Sequence, residues 1–205
     1  MRQISRRGFL KASGASVTLL GLGGVLPSPA EAKRRVIVIG GGWGGASAAK
    51  YLRLHDSSLE VTLLEPNKEF ISCPFSNLVV AGVENLKTLT MNYNGLRKHG
   101  VRIRHEAASA IDPDKKQVRV GKDSLAYDRL IVSPGIDFLW DQVEGLEQAK
   151  DTVLHAWKAG PQTMQLAQQL QSMSDGGVVV MTVPPVAYRC PPGPYERASM
   201  IAWYR

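Results

Sequence analysis

Arg35-Val36-Ile37-Val38-Ile39-Gly40-Gly41-Gly42-Trp43-Gly44-Gly45 decides the fold. After Arg35 the run is apolar and β-branched. A short run of this kind reads as a strand buried on both faces of a parallel sheet. It passes directly into glycines at 40, 42 and 45, the spacing G-x-G-x-x-G, and Ala46, Ala48, Ala49 and Leu52 continue as a helix with a small-residue face. Gly40 permits the tight turn, Gly42 lets the backbone approach a pyrophosphate, and Gly45 lets helix and strand lie close. The partial positive charge of the helix N-terminus then faces the phosphates. A second strand over residues 59–64 ends at Glu65, twenty residues past Gly45. A carboxylate there accepts hydrogen bonds from a ribose diol and disfavours a 2′-phosphate. The expectation is an α/β dinucleotide-binding fold.

Downstream, residues 101–104 read as a strand, and residues 108–120 as two strands joined by Asp112-Pro113-Asp114-Lys115-Lys116, which is turn chemistry. Residues 127–132 return a strand to a turn at Ser133-Pro134-Gly135. This meander followed by a strand ending in a Ser/Thr-x-Gly turn resembles the FAD domain of two-dinucleotide-domain flavoproteins. That resemblance favours FAD over NAD at the shared opening motif, and it implies that Ser133 and Gly135 lie close to the flavin dinucleotide.

The first 32 residues read as an address. Arg6-Arg7 precede Phe9-Leu10-Lys11 and an apolar stretch from Ala12 to Leu26, and Ala30-Glu31-Ala32 offers an A-x-A cleavage site. This is the twin-arginine layout of a signal peptide, so a periplasmic protein is expected. The domain expectation is 1–32 signal, 33–149 FAD-binding segment, and 150–205 linker plus the beginning of a second Rossmann-like domain. The formal charge of +7 does not point to nucleic acid: the first 32 residues carry +3 of it, and the remaining +4 forms no basic stripe. No membrane span is expected in the mature chain, and no metal-ligand set is read.

Two cysteines in a chain bound for an oxidising compartment first suggest one disulfide, Cys73 to Cys190. Their settings differ. Cys73 lies in Glu69-Phe70-Ile71-Ser72-Cys73-Pro74-Phe75-Ser76-Asn77, a loop after the second strand that passes near the isoalloxazine in this fold class. Covalent attachment to flavin, a free buried thiol and a structural disulfide all remain open from the residues alone. Cys190 follows residues 178–183, a run expected to be a second buried strand. The glycine loop that would follow such a strand is absent, and Pro184 and Pro185 lack the N–H groups a pyrophosphate needs. The second domain is therefore not expected to hold a nicotinamide dinucleotide in the usual way. After Cys190 a helix is expected, with proline in its first turn and Glu196 at its positive end. A cysteine there beside Arg189 is in a setting that favours the reactive thiolate; an inert buried cysteine is the alternative.

Cys190-Pro-Pro-Gly-Pro-Tyr-Glu-Arg-Ala-Ser199, His155-Ala-Trp-Lys-Ala-Gly160 and the Cys-x-x-Ser-Asn arrangement at Cys73 resemble the flavoprotein subunit of flavocytochrome c sulfide dehydrogenase. The resemblance covers residues 34–205. It implies FAD bound covalently through Cys73, Cys190 as half of a redox-active disulfide, and Glu196 suited to proton transfer. It further implies hydrosulfide as substrate and a c-type cytochrome subunit as acceptor. The family's partner cysteine lies later in its chain, and these 205 residues hold no third cysteine, so a truncated form of the longer polypeptide is expected. Sulfide:quinone or pyridine-nucleotide disulfide oxidoreductase, or an inactive exported FAD-binding fragment, are the competing expectations.

Overall fold

The computed structural model describes residues 33–183 and 188–204. The signal-peptide reading over 1–32 and the prolines at 184 and 185 lie outside the described residues.

The quoted run forms strand β1 (Arg35–Ile39), and the glycines lead into helix α1 (Trp43–His55). Strand β2 (Glu60–Leu64) returns parallel to β1 in register Arg35↔Glu60 to Ile39↔Leu64. Strand β5 (Arg102–Arg104) adds outside β2, and β9 (Arg129–Val132) adds on the other side of β1, both parallel. The sheet order is β5-β2-β1-β9.

Both faces of this sheet are covered, which is why its strands read as continuous apolar runs. Val36, Val38, Val61 and Leu63 pack with Ala49 of α1, Tyr93 and Val101 on one face. Ile37 and Leu64 pack on the other with Val118, Val120 and Tyr127. Each such fully buried Val or Leu contributes roughly 1.5–3 kcal/mol. Val118, Val120 and Tyr127 belong to or follow the antiparallel meander β6 (Ala108–Asp112), β7 (Gln117–Val120) and β8 (Asp123–Ala126), which lies where the turn chemistry placed it. Asp128 ties the open end of the sheet: its carboxylate accepts from the Arg35 N–H at 2.6 Å, and its own N–H donates to the Arg35 carbonyl. That accepted bond is the main reason its carboxyl is held below the ordinary value.

Between β2 and β5 the chain makes a small antiparallel pair, β3 (Glu69–Ile71) with β4 (Thr90–Asn92), and two short helices, α2 (Ser76–Val80) and α3 (Asn94–Lys98). After β9, a short helix α4 (Leu146–Ala149) precedes α5 (Pro161–Ser172) and α6 (Gly193–Tyr204). Helix α5 starts with Pro161 at its first position, and Thr163 Oγ1 accepts the Gly160 N–H at 3.2 Å. Helices α5 and α6 bury Leu170 and Ile201 against Val80 of α2. Helices α5 and α6 are thus anchored to the helix that follows the Cys73 turn.

One expectation is overturned. Residues 178–183 are not a buried strand: the segment has no strand assignment, and Val178 and Val180 are 84% and 81% exposed. A parallel strand is held by its ladder, and no described strand pairs with this run. The helix expected after Cys190 is present as α6.

Candidate functional site: a glycine cradle and a two-thiol cluster

The glycine loop is held shut from below. A Cβ added at Gly45 would lie 1.8 Å from the Gly40 carbonyl oxygen, and one at Gly40 would lie 1.9 Å from the Ser133 carbonyl oxygen. Gly40 also needs its φ of +95°. The Ser133 N–H donates to the Ile39 carbonyl at 2.8 Å, so the end of β9 forms the floor of the loop. Gly135, also at positive φ, is open, with nothing within 4 Å of an added Cβ.

Gly42 differs from these. Its φ of −70° suits any residue, and the nearest atom to an added Cβ is Phe70 Cε2 at 3.7 Å. Space, not backbone strain, distinguishes this position. No side chain caps the N-terminus of α1, so the first N–H groups of the helix remain for a ligand. Glu65 is set in advance: Oε2 accepts the Gly41 N–H at 2.8 Å, and Oε1 accepts from the Asn67 N–H and Nδ2 at 2.9 and 2.7 Å. Tyr93 donates its hydroxyl to the Gly41 carbonyl at 3.2 Å, and burial, followed by the charge of Glu65, pushes its pKa up to about 12. A cleft of about 190 Å³ lies beside the loop, walled by Trp43, Phe70, Met91 and Tyr93. A cradle that a Cβ would fill, an uncapped helix end and a fixed acid together fit a dinucleotide pyrophosphate and ribose.

The second constellation is built around Trp157 and Arg197. Cys73 lies in the turn before α2 and donates its thiol to the Trp157 carbonyl at 3.1 Å. Cys190 lies just before α6, where the Gly193 N–H donates to its carbonyl at 2.9 Å. A Cβ added at Gly193 would meet Cys190 Sγ at 3.3 Å and Trp157 Cζ3 at 3.4 Å, so the second thiol and the indole edge flank one point. Both cysteines are free and exposed, which removes the Cys73–Cys190 disulfide from the readings left open by the sequence.

Arg197 is 3% exposed and spends its whole fork on this node. Nε donates to Asn77 Oδ1 at 2.9 Å, Nη1 to the His155 carbonyl at 2.6 Å, and Nη2 to the Ala156 carbonyl at 2.8 Å. Burial pushes its pKa down to about 10, against the opposing pull of Cys73 and Glu196. Asn77 passes the contact on, donating Nδ2 to Glu196 Oε1 at 3.0 Å. The His155 ring packs on Phe138 and Trp140, and its Nδ1 accepts the Trp157 N–H at 2.9 Å.

Three of the four described non-glycine residues with positive φ border this cluster: Phe75 at 71°, Ala156 at 46° and Cys190 at 55°. Such conformations cost about 1–2 kcal/mol each for an ordinary side chain. Their concentration here marks backbone held in place by its surroundings.

Cys73, Cys190 and Glu196 are thus brought together around one node, while Gly40, Gly42, Gly45, Glu65, Ser133 and Gly135 form or border the loop. Sequence reading passed over Arg197 and Asn77 as site members. Both stand inside the quoted motifs, but a lone Arg or Asn reads as surface until its partners, about 120 residues away, are seen.

The parallel sheet and the glycine loop at the end of its first strand define a Rossmann-like dinucleotide-binding fold. Residues 34–180 match the pyridine nucleotide-disulphide oxidoreductase family, and the chain belongs to it. Membership implies a flavin cofactor. Residues 163–205 also match the central region of the sulfide dehydrogenase (flavocytochrome c) flavoprotein chain. Over 46 residues, 22% of this chain and 96% of the relative, identity is 63% to the sulfide dehydrogenase (flavocytochrome c) flavoprotein chain of Chlorobaculum thiosulfatiphilum. The mitochondrial sulfide:quinone oxidoreductase of Dictyostelium discoideum is 25% identical over 79% of this chain and 36% of its own length. The crystal structure of the sulfide:quinone oxidoreductase from Aquifex aeolicus superposes with a TM-score of 0.60 at 24% identity, over 67% of this chain and 32% of that one, and shows the fold. The chain therefore spans about a third of the length of the sulfide:quinone oxidoreductases it matches.

Proposed function

We propose that this chain is part of the flavoprotein of an exported FAD-dependent sulfide dehydrogenase that passes electrons to a c-type cytochrome. The carrying observation is the convergence of Cys73, Cys190 and Glu196 on the Trp157–Arg197 node. It lies partly within residues 163–205, which match the central region of the sulfide dehydrogenase (flavocytochrome c) flavoprotein chain.

In this reading the glycine loop and Glu65 hold FAD, and Cys73 is joined to it covalently. Bound FAD supplies the two-electron acceptor. Cys190 forms a redox disulfide with a cysteine from the remainder of the polypeptide. The hydrosulfide sulfur bonds to Cys190 Sγ, the S–S bond breaks with its electron pair leaving on the partner sulfur, and Glu196 takes the proton. Arg197 holds the segment carrying Trp157, whose carbonyl meets Cys73 and whose ring edge flanks Gly193 together with Cys190. The paired arginines at 6 and 7 support export to the periplasm by the twin-arginine route. The 25% identity to sulfide:quinone oxidoreductases over most of the chain favours a second reading, the same substrate with a quinone acceptor.

The test uses the full-length protein as isolated. Sulfide is expected to bleach the flavin, and oxidised cytochrome c to restore its colour faster than a soluble quinone. Acid precipitation is expected to leave the yellow colour in the pellet for wild type and in the supernatant for Cys73→Ser. A flavin bleached by NADH but not by sulfide overturns the substrate. Preferential reoxidation by quinone overturns the acceptor. Colour retained in the Cys73→Ser pellet overturns the attachment.

A further inference from the structure

We infer that Asn77 is a positioning residue that aims the Glu196 carboxylate, with its own amide locked in one orientation by the buried Arg197. The inference rests on the reading of Glu196 as proton acceptor and adds a residue to it.

A side-chain amide can present either its oxygen or its nitrogen to a neighbour. A guanidinium has donors only. Arg197 Nε faces the Asn77 amide at 2.9 Å, so the amide atom facing it must be Oδ1. Arg197 cannot easily turn away: its other two groups are committed to the His155 and Ala156 carbonyls, and its plane lies over Trp157 with Cζ 3.5 Å from the ring centroid. With Oδ1 fixed, Nδ2 must point the opposite way, and what it meets is Glu196 Oε1 at 3.0 Å. One carboxylate oxygen of Glu196 is thereby pinned while Oε2 stays unengaged by any described residue.

The burial pattern separates the roles. Asn77 and Arg197 are 8% and 3% exposed, whereas Glu196 is exposed. An exposed glutamate on a helix ordinarily samples several rotamers. Here it is drawn by a buried donor onto the face of α6 that meets α2. Asn77 is also four residues past Cys73, on the helix that follows the Cys73 turn. The same amide therefore fixes where the proton acceptor stands relative to the Cys73 loop, across elements 119 residues apart.

The test uses full-length, flavin-loaded protein and rapid mixing with sulfide. Asn77→Asp keeps an acceptor for Arg197 but cannot donate to Glu196, and it sets two carboxylates against each other. It is expected to slow bleaching at saturating sulfide by about tenfold or more, with half-saturation unchanged and covalent flavin retained. Asn77→Ser, shorter but neutral, is the second variant should the first fail to fold, with the same expectation. Combining Asn77→Asp with Glu196→Gln should be no slower than Glu196→Gln alone, because both act through one carboxylate. Wild-type bleaching rates in the Asn77 variants, or a double variant slowed by the product of the single effects, overturn the inference. If sulfide fails to bleach wild type, the functional reading fails instead. The positioning claim is then decided by crystal structures, in which Glu196 should leave its wild-type rotamer in Asn77→Ser and keep it if Asn77 has no such role.

Discussion

The guanidinium of Arg197 lies over the ring of Trp157, 3.5 Å from Cζ to the ring centroid, and donates to the carbonyls of the two residues just before that tryptophan. Arg197→Leu leaves Asn77 Oδ1 and both carbonyls without this donor. Stability is expected to fall by about 3 kcal/mol or more, since each buried acceptor left unsatisfied costs roughly 1–3 kcal/mol. Arg197→Lys keeps the charge but cannot form the fork, so its loss should be smaller but clear. Urea denaturation midpoints check the order; a Lys variant as stable as wild type contradicts it.

Two glycines of one motif should fail in different ways. Gly45→Ala places a methyl 1.8 Å from the Gly40 carbonyl oxygen, so backbone must move. Destabilisation of about 1–3 kcal/mol or more is expected. Gly42→Ala meets nothing closer than 3.7 Å and needs no unusual φ. It should fold within about 0.5 kcal/mol of wild type. Its methyl nonetheless stands where a pyrophosphate approaches, so flavin content after purification should drop. Normal flavin content in folded Gly42→Ala would show that the dinucleotide does not lie on this loop.

Acid should loosen the thiol cluster through His155. Burial chiefly, then Arg197 and Lys158, push its pKa below the ordinary 6.5. Above about 6.5 both folded and unfolded chains hold it neutral, and its contribution is complete. Below that the unfolded chain takes the proton first, and stability is lost until the pH passes the lower folded value. Protonation of Nδ1 also ends its acceptance of the Trp157 N–H. His155→Asn preserves an acceptor two residues before that N–H and removes the titration. Melting temperatures at pH 7.5 and 5.5 should therefore fall further for wild type than for this variant, and equal falls would exclude His155 as the source.

The sheet core was legible because β1, the glycine loop, α1 and β2 carry their signals within thirty residues: β-branched runs, glycine spacing and a terminal acid. The meander was legible from the turn between Asp112 and Lys116. Residues 178–183 misled because a β-branched run states a preference, whereas a strand also requires a neighbour to supply its ladder. The β3–β4 pair, three residues on each side, is too short for alternation to register. Helix α5 was passed over because its five glutamines and serine carry no charge pattern. At the candidate site, Cys73, Cys190 and Glu196 are singled out in the sequence by their motif setting and resemblance. The contacts of Arg197 and Asn77 could not be, since they depend on the docking of α6 against α2 rather than on either local sequence.

The long separations in this cluster also set an order of events during synthesis. The four described strands of the parallel sheet have all been made at Val132, but Arg197, which binds Asn77 and the carbonyls before Trp157, is made 65 residues later. At ordinary elongation rates that gap lasts on the order of several seconds. During it the glycine loop has its neighbours, while the His155 and Ala156 carbonyls still lack the guanidinium that holds the Trp157 segment. The nascent chain thus passes through a stage in which the glycine loop stands formed on its sheet before the residue that fixes the Trp157 segment has been made.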